Sequence, residues 1–317
     1  MNRPSVLHED HRALAEAVRG YCRANCTEEI QRTPVTAFPN EFWIGLAGDL
    51  GVFAMAVPGE DPAAGGIVAA CLELGAVAAP GPVAATFFAA HALPTAEAAD
   101  VIDGRAIVAV GTPPLVPWAA VADVFIDRCG DDAWTARPAG AVEPVETLGG
   151  EPWARVRLAR ERPLARSAAA GRLADLATAG YLVGAGERML DTAVEHARTR
   201  EQFGRPIGSF QAVAHPLADA STGLESARRL TVVAANALDA KHPDGAGLAA
   251  GARLSASRAA LSAAFTAHQA MGAIGYTIEG PLAHLTRRIR QLSLGAANSA
   301  DLQHHVTTIF SREASTR

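Results

Sequence analysis

The sequence runs to 317 residues, 49 % of them hydrophobic and 19 % charged, with a formal net charge of −5 at pH 7. That length holds two or three structural units, because single cores stop growing near roughly 250 to 300 residues. The acidic balance argues against nucleic acid as a partner, since phosphate binding needs a basic surface that releases counterions. No run of about 18 apolar residues suggests a membrane span. Cys22, Cys26, Cys71 and Cys129 form neither a disulfide framework nor a zinc pattern, so no metal is expected. The opening residues MNRPSVLHEDHRALAEAV are partly acidic and lack the apolar stretch of a secretory signal, which points to the cytoplasm.

Residues 1–105 read as a helical domain with alanine-rich faces, broken by the turn-forming stretches 57–62 and 79–82. Over residues 106–163 the pattern shifts to short β-prone pieces, AIVAVG, VADVFIDRC, AWTARP and WARVRLA, separated by proline and glycine. A small antiparallel sheet is expected there. Residues 164–317 carry long segments with apolar residues at helical spacing and few breakers. Each such stripe must be buried against another, which predicts a bundle of four or five helices. The fold class is thus mainly α with a small β-domain between two helical units.

The most specific segment is ARTREQFGRPIGSFQAVAHPLADA, from Ala197 to Ala220. It closely resembles the flavin-binding signature of acyl-CoA dehydrogenases. HQAMGAIGYTIEGPLAHLTRRIRQ, from His268 to Gln291, resembles that family's later glycine-containing motif, and Trp43 followed by LGVFAMAVPGE resembles its amino-terminal helical domain. The resemblance implies an N-terminal helical domain, a middle β-domain and a C-terminal four-helix bundle, with FAD as cofactor. It places Arg200 against the flavin pyrophosphate, Phe203 beside the cofactor and Gln211 at its phosphate or ribitol region. Gln269 and Gly272 fall where the family meets the adenosine and pyrophosphate side. A dianionic pyrophosphate needs a guanidinium fork and close backbone approach, which arginine and glycine supply. In the family these groups serve the flavin held mainly by the neighbouring subunit, which implies a dimer. Tyr276 and Pro281 are expected to mark a turn between helices.

The family's chemistry also needs a carboxylate to remove the proton alpha to the thioester. In most members it lies in a Tyr-Glu-Gly-Thr stretch; here the aligned residues are Gly295-Ala296-Ala297-Asn298, with Ala296 in place of the glutamate. A minority of the family moves the base to the start of the first long bundle helix, where Ala174 and Asp175 now stand. Asp175 is one position off and reads first as a partner of the helix dipole; Asp301 reads as a surface residue. The middle domain lacks the family's threonine-rich and tryptophan strands that cover the flavin ring, so Trp118, Trp134 and Trp153 are expected to pack.

The expectation is a shortened, non-catalytic subunit of an α2β2 acyl-CoA dehydrogenase, of the kind actinobacteria use on sterol-derived CoA thioesters. It would complete the flavin site of a catalytic partner subunit that handles the acyl-CoA. Two alternatives stand beside it: an active homo-oligomer with Asp175 as a displaced base, and a flavin-free scaffold.

Overall fold

Amphipathic spacing organises the first third of the chain. In a computed structural model, which describes residues 9–32, 38–59, 64–147, 149–294 and 302–308, helix α1 (Glu9–Asn25) buries Ala15, Val18 and Cys22 along one stripe. The short helices α2 (Glu28–Arg32) and α3 (Asn40–Ile44) follow, and α3 runs on through a π turn at 45–49 and a 3₁₀ turn at 52–56. Those turns deliver an aromatic seam to the core, with Trp43 and Phe87 each 5.0 Å from Phe53 between ring centroids. Helix α4 (Ala64–Ala76) is buried on nearly every side, and α5 (Val83–Ala92) and α6 (Thr95–Ile102) close the unit.

The middle segment forms two small sheets. Strands β1 (Val108–Gly111), β3 (Val124–Cys129), β4 (Asp132–Pro138) and β7 (Leu158–Pro163) make one, in the order β1-β3-β4-β7. Strands β2 (Leu115–Val116), β6 (Trp153–Arg155) and β5 (Glu143–Val145) make the other, in the order β2-β6-β5. The expected all-antiparallel pairing fails at one place: β1 and β3 are parallel, Val108 opposite Val124. The reason is that residues 112–123 do not turn back as a hairpin. They cross to the second sheet as β2 and return through a 3₁₀ turn at 119–121, so β3 starts beside the start of β1.

Three long helices build the rest: α7 (Ser167–Thr199), α8 (Gln211–Asp239) and α9 (Gly245–Met271). A hairpin of β8 (Glu201–Gln202) and β9 (Arg205–Pro206) joins the first two. The short helix α10 (Ala273–Tyr276), α11 (Ala283–Ser293) and a helical stretch at 302–308 follow. Small residues let the helix axes approach: a Cβ on Gly186 would stand 2.7 Å from Leu224 and 3.2 Å from Ala260, so α7, α8 and α9 meet in one layer. Helix α8 also reaches back to the first unit, where the Asp239 carboxylate accepts the N–H groups of Ala64 and Gly65 at 2.8 and 3.0 Å and caps α4. Among the described residues, no helix is long and apolar enough to cross a membrane and no cluster of His, Cys, Asp and Glu could hold a metal ion.

Candidate functional site

Short connections make α7, α8 and α9 run antiparallel in turn, so the C-terminal ends of α7 and α9 share one end of the bundle with the N-terminus of α8. Measured from the Gly186–Leu224–Ala260 layer, Arg200, Gln211 and Gly272 all lie roughly 18 to 21 Å along their helices, at about 1.5 Å of rise per residue. The five residues singled out in the sequence therefore gather at that end, and all five are exposed.

Arg200 closes α7: its N–H donates to the His196 carbonyl at 2.8 Å, and its own carbonyl accepts the Ile207 N–H at 2.8 Å. Phe203 sits at the hairpin tip with φ 54°, followed by Gly204 with φ 74°. A phenylalanine in the left-handed region is uncommon, and the ring is 93 % exposed. It meets Phe210 edge-on, at 6.1 Å between ring centroids, and the Arg205 guanidinium lies over the Phe210 ring, 4.1 Å from its centroid. Gln211 opens α8. Gln269 stands near the end of α9, which Gly272 terminates at φ 59°, with open space where a Cβ would point. Among the described residues, the side chains of Arg200, Gln211 and Gln269 make no hydrogen bond. One unspent guanidinium fork, two unspent amides and the positive end of α8 fit a pyrophosphate and its adenosine.

A second feature lies toward the opposite end. Asp175 stands on α7 roughly 37 Å from Arg200 at the same rise per residue, and it lines a cavity of about 110 Å³. Asp175 is two turns inside α7, not in its first turn, and is only 3 % exposed. The reading as a helix-dipole partner therefore gives way, since that effect falls off within the first turn. Burial pushes its carboxyl above the usual carboxylate range, although Arg128, Arg253 and Arg172 pull the other way. It makes no hydrogen bond or ion pair with any described residue.

The rest of the cavity wall comes from distant parts of the chain. Arg253 on α9 is 6 % exposed and donates to the Leu292 carbonyl at 2.7 Å; burial pulls its guanidinium below the usual value, with Asp175 opposing. Arg288 and Glu151 form a buried, hydrogen-bonded ion pair. Arg172 lies outside the wall, though its charge acts on Asp175, and is spent on Asp131 by a two-pronged pair at 2.7 and 2.8 Å. The Tyr181 hydroxyl donates to the Ala79 carbonyl at 2.8 Å. Ala174 lines the same cavity, as do Trp118 and Trp153, whereas Trp134 lies under the Arg160 guanidinium at 3.6 Å. Ala296 and Asp301 lie outside the described residues. Sequence reasoning missed Arg128, Arg253 and the Arg288–Glu151 pair. The one available signal was Arg253 itself, a lone charge in the alanine- and glycine-rich run GLAAGARLSAS.

Residues 174–299 match the model of the acyl-CoA dehydrogenase C-terminal domain. The acyl-CoA dehydrogenase IpdE2 of Mycobacterium tuberculosis (strain ATCC 25618 / H37Rv) is 34 % identical over 258 residues, which is 76 % of this chain and 78 % of that protein. This chain belongs to the acyl-CoA dehydrogenase family. Acyl-CoA dehydrogenase architecture extends over almost all of it. A chain of the ChsE4-ChsE5 complex from M. tuberculosis superposes with a TM-score of 0.81 at 24 % identity, covering 96 % of this chain and 98 % of that one. A chain of the Tcur3481-Tcur3483 steroid ACAD, as a variant, gives 0.82 at 21 % identity, covering 97 % and 99 %. At these identities the likeness is one of fold. The mainly helical acyl-CoA dehydrogenase-like architecture expected from the sequence is the one found, and the family to which the chain belongs is one of FAD-dependent oxidoreductases.

Proposed function

We propose that this chain is the flavin-completing, non-catalytic subunit of a heteromeric acyl-CoA dehydrogenase, an α2β2 assembly acting on a bulky, steroid-type CoA thioester. The observation that carries the reading is the exposed set at the end of the bundle: the side chains of Arg200, Gln211 and Gln269 make no hydrogen bond among the described residues, and Arg200 stands roughly 37 Å along α7 from Asp175 in the chain's own cavity. A group that spans neither the chain's cavity nor its core has its other half elsewhere. The names of two similar structures support the partnership, one being a complex of two differently named chains and the other a paired steroid ACAD.

Bound FAD supplies the hydride acceptor for α,β-dehydrogenation of the thioester. Within this chain, Arg200 meets the pyrophosphate oxygens with its guanidinium fork and Gln211 and Gln269 hold the flanking ribitol and adenosine polar atoms. Phe203 covers the cofactor with its ring, and Gly272 lets the backbone come close. Proton removal falls to the partner, because Ala174 and Ala296 cannot accept a proton.

A second reading, an active homo-oligomer using Asp175, is favoured by one observation: a buried carboxyl of raised pKa that opens on a cavity has the environment of a general base. Flavin content separates the two. The chain purified alone is expected to be colourless, and co-expression with a catalytic acyl-CoA dehydrogenase subunit is expected to give a yellow complex that dehydrogenates thioesters. In that complex Asp175→Asn leaves turnover nearly intact. A yellow, active lone chain, or loss of turnover by orders of magnitude in the variant, moves catalysis here.

A further inference from the structure

The cavity at Asp175 carries charges that no ion pair among the described residues balances. Arg288 is closed on Glu151, and Arg172 on Asp131. That leaves Arg253 and Arg128 as two cations facing one carboxylate, Asp175, and neither is within ion-pair distance of it. Arg253 spends one N–H on the Leu292 carbonyl and Arg128 one on the Gly130 carbonyl at 3.1 Å. Their remaining donors have no partner among the described residues. The wall therefore holds a formal excess of one positive charge, with Asp175 and Arg253 more than nine-tenths buried and Arg128 half-buried over the Phe88 ring, 5.3 Å from its centroid. An unpaired buried charge is costly, and a partner of opposite sign removes the cost.

We infer that this cavity binds the carboxylate of a compact, otherwise apolar acid, with Arg253 and Arg128 donating to its oxygens and Asp175 facing the same group. Most of the remaining wall is apolar, including Phe88, Val110 and Trp118, with Thr178, Tyr181 and Gln291 as its uncharged polar members. The volume of about 110 Å³ is comparable to cavities on the order of 150 Å³ that admit a benzene-sized molecule. A neutral alcohol would satisfy Asp175 and leave both guanidinium groups unpaired; a phosphate dianion would overshoot the single positive charge. A carboxylate closes the balance, and its sign fixes the role of Asp175 as the group that weakens the site. The inference is independent of the flavin-completing reading, because it concerns a ligand this chain holds at the other end of α7.

Trp118 and Trp153 line the cavity, so their fluorescence reports its occupation. The full chain, alone and in complex with its partner subunit, is titrated with cyclohexanecarboxylate and with cyclohexylmethanol, which share a body and differ in charge. Saturable quenching is expected with the carboxylate at an affinity about tenfold or more above that of the alcohol, the scale of one charge-assisted hydrogen bond. Arg128→Gln should weaken the carboxylate by about the same factor. Asp175→Asn should tighten it, because the opposing charge is removed. Arg128 is half-buried and Asp175→Asn nearly isosteric, so both variants keep the fold even where an Arg253 variant does not. Equal binding of the alcohol, weaker carboxylate binding in Asp175→Asn, or no saturable quenching with either compound overturns the inference. None of these readouts depends on flavin content, so failure here is distinguishable from failure of the proposed function.

Discussion

Arg200 is the residue on which the flavin reading turns, and its environment sets the size of the expected effect. It is exposed, its side chain is unpaired among the described residues, and its backbone already closes the hairpin through His196 and Ile207. Removing the guanidinium therefore takes nothing from the fold. Against a pyrophosphate it removes a charge-assisted, two-pronged contact of about 1.5 to 3 kcal/mol, or roughly ten- to a hundredfold in affinity. Arg200→Ala is expected to leave the unfolding midpoint of the chain unchanged while the complex loses flavin on dilution, measured by FAD release. Unchanged flavin retention removes Arg200 from the site. This part of the site was legible in the sequence because its hairpin is a contiguous string, RTREQFG, whose residues meet through local turns. The cavity was not, because Arg128, Glu151, Asp175, Arg253 and Arg288 come from five separate segments that only tertiary packing brings together.

At the scale of elements, the crossing of α4 on α7 joins the first helical unit to the bundle through backbone contact. A Cβ on Gly184 would stand 2.0 Å from the Leu72 carbonyl oxygen, and one on Gly75 would stand 2.0 Å from that of Tyr181. Neither neighbour is a flexible side chain that could swing away. Gly184→Ala is expected to force the helices apart and lower stability by about 1 to 3 kcal/mol or more, read from the urea midpoint, whereas Gly223→Ala on the open face of α8 is expected to be neutral or stabilising. The sequence showed helices here but not their closeness, since a glycine in a helical pattern reads first as a weak point. Helix α11 supplies a pH test. Burial, with Arg32, Arg188 and Arg288 nearby and Glu28 opposing, lowers His284 to about 4 from an ordinary 6.5. Above pH 6.5 it is neutral folded and unfolded. As pH falls from there toward about 4 only the unfolded chain takes the proton, so stability drains across that window. Asp175, with its raised pKa, works in the opposite direction, so the difference between parent and His284→Gln isolates the histidine: the variant's urea midpoint is expected to fall less steeply between pH 6.5 and 4.

For the whole molecule, the distance between the two ends of α7 carries the argument. A symmetric dimer of complete subunits would present two equivalent flavin sites, each with a ring pocket from one chain and a phosphate-binding end from the other. On the proposed reading this chain offers the phosphate-binding end, whereas its own cavity is small, about 110 Å³, and is lined by the Arg288–Glu151 pair, Arg253 and Asp175. The two small sheets beside it replace the expected single antiparallel one, and their parallel β1–β3 pairing was invisible in the sequence because the segment that crosses between sheets, residues 112–123, has no periodicity to follow. In a mixed dimer only one of the two pockets is then complete. The purified complex is expected to contain one FAD per pair of unlike chains, measured as absorbance of released flavin against the mass of the intact assembly. Two FAD per pair would mean that this chain's cavity accepts the ring after all, and the division of labour between the subunits would have to be abandoned.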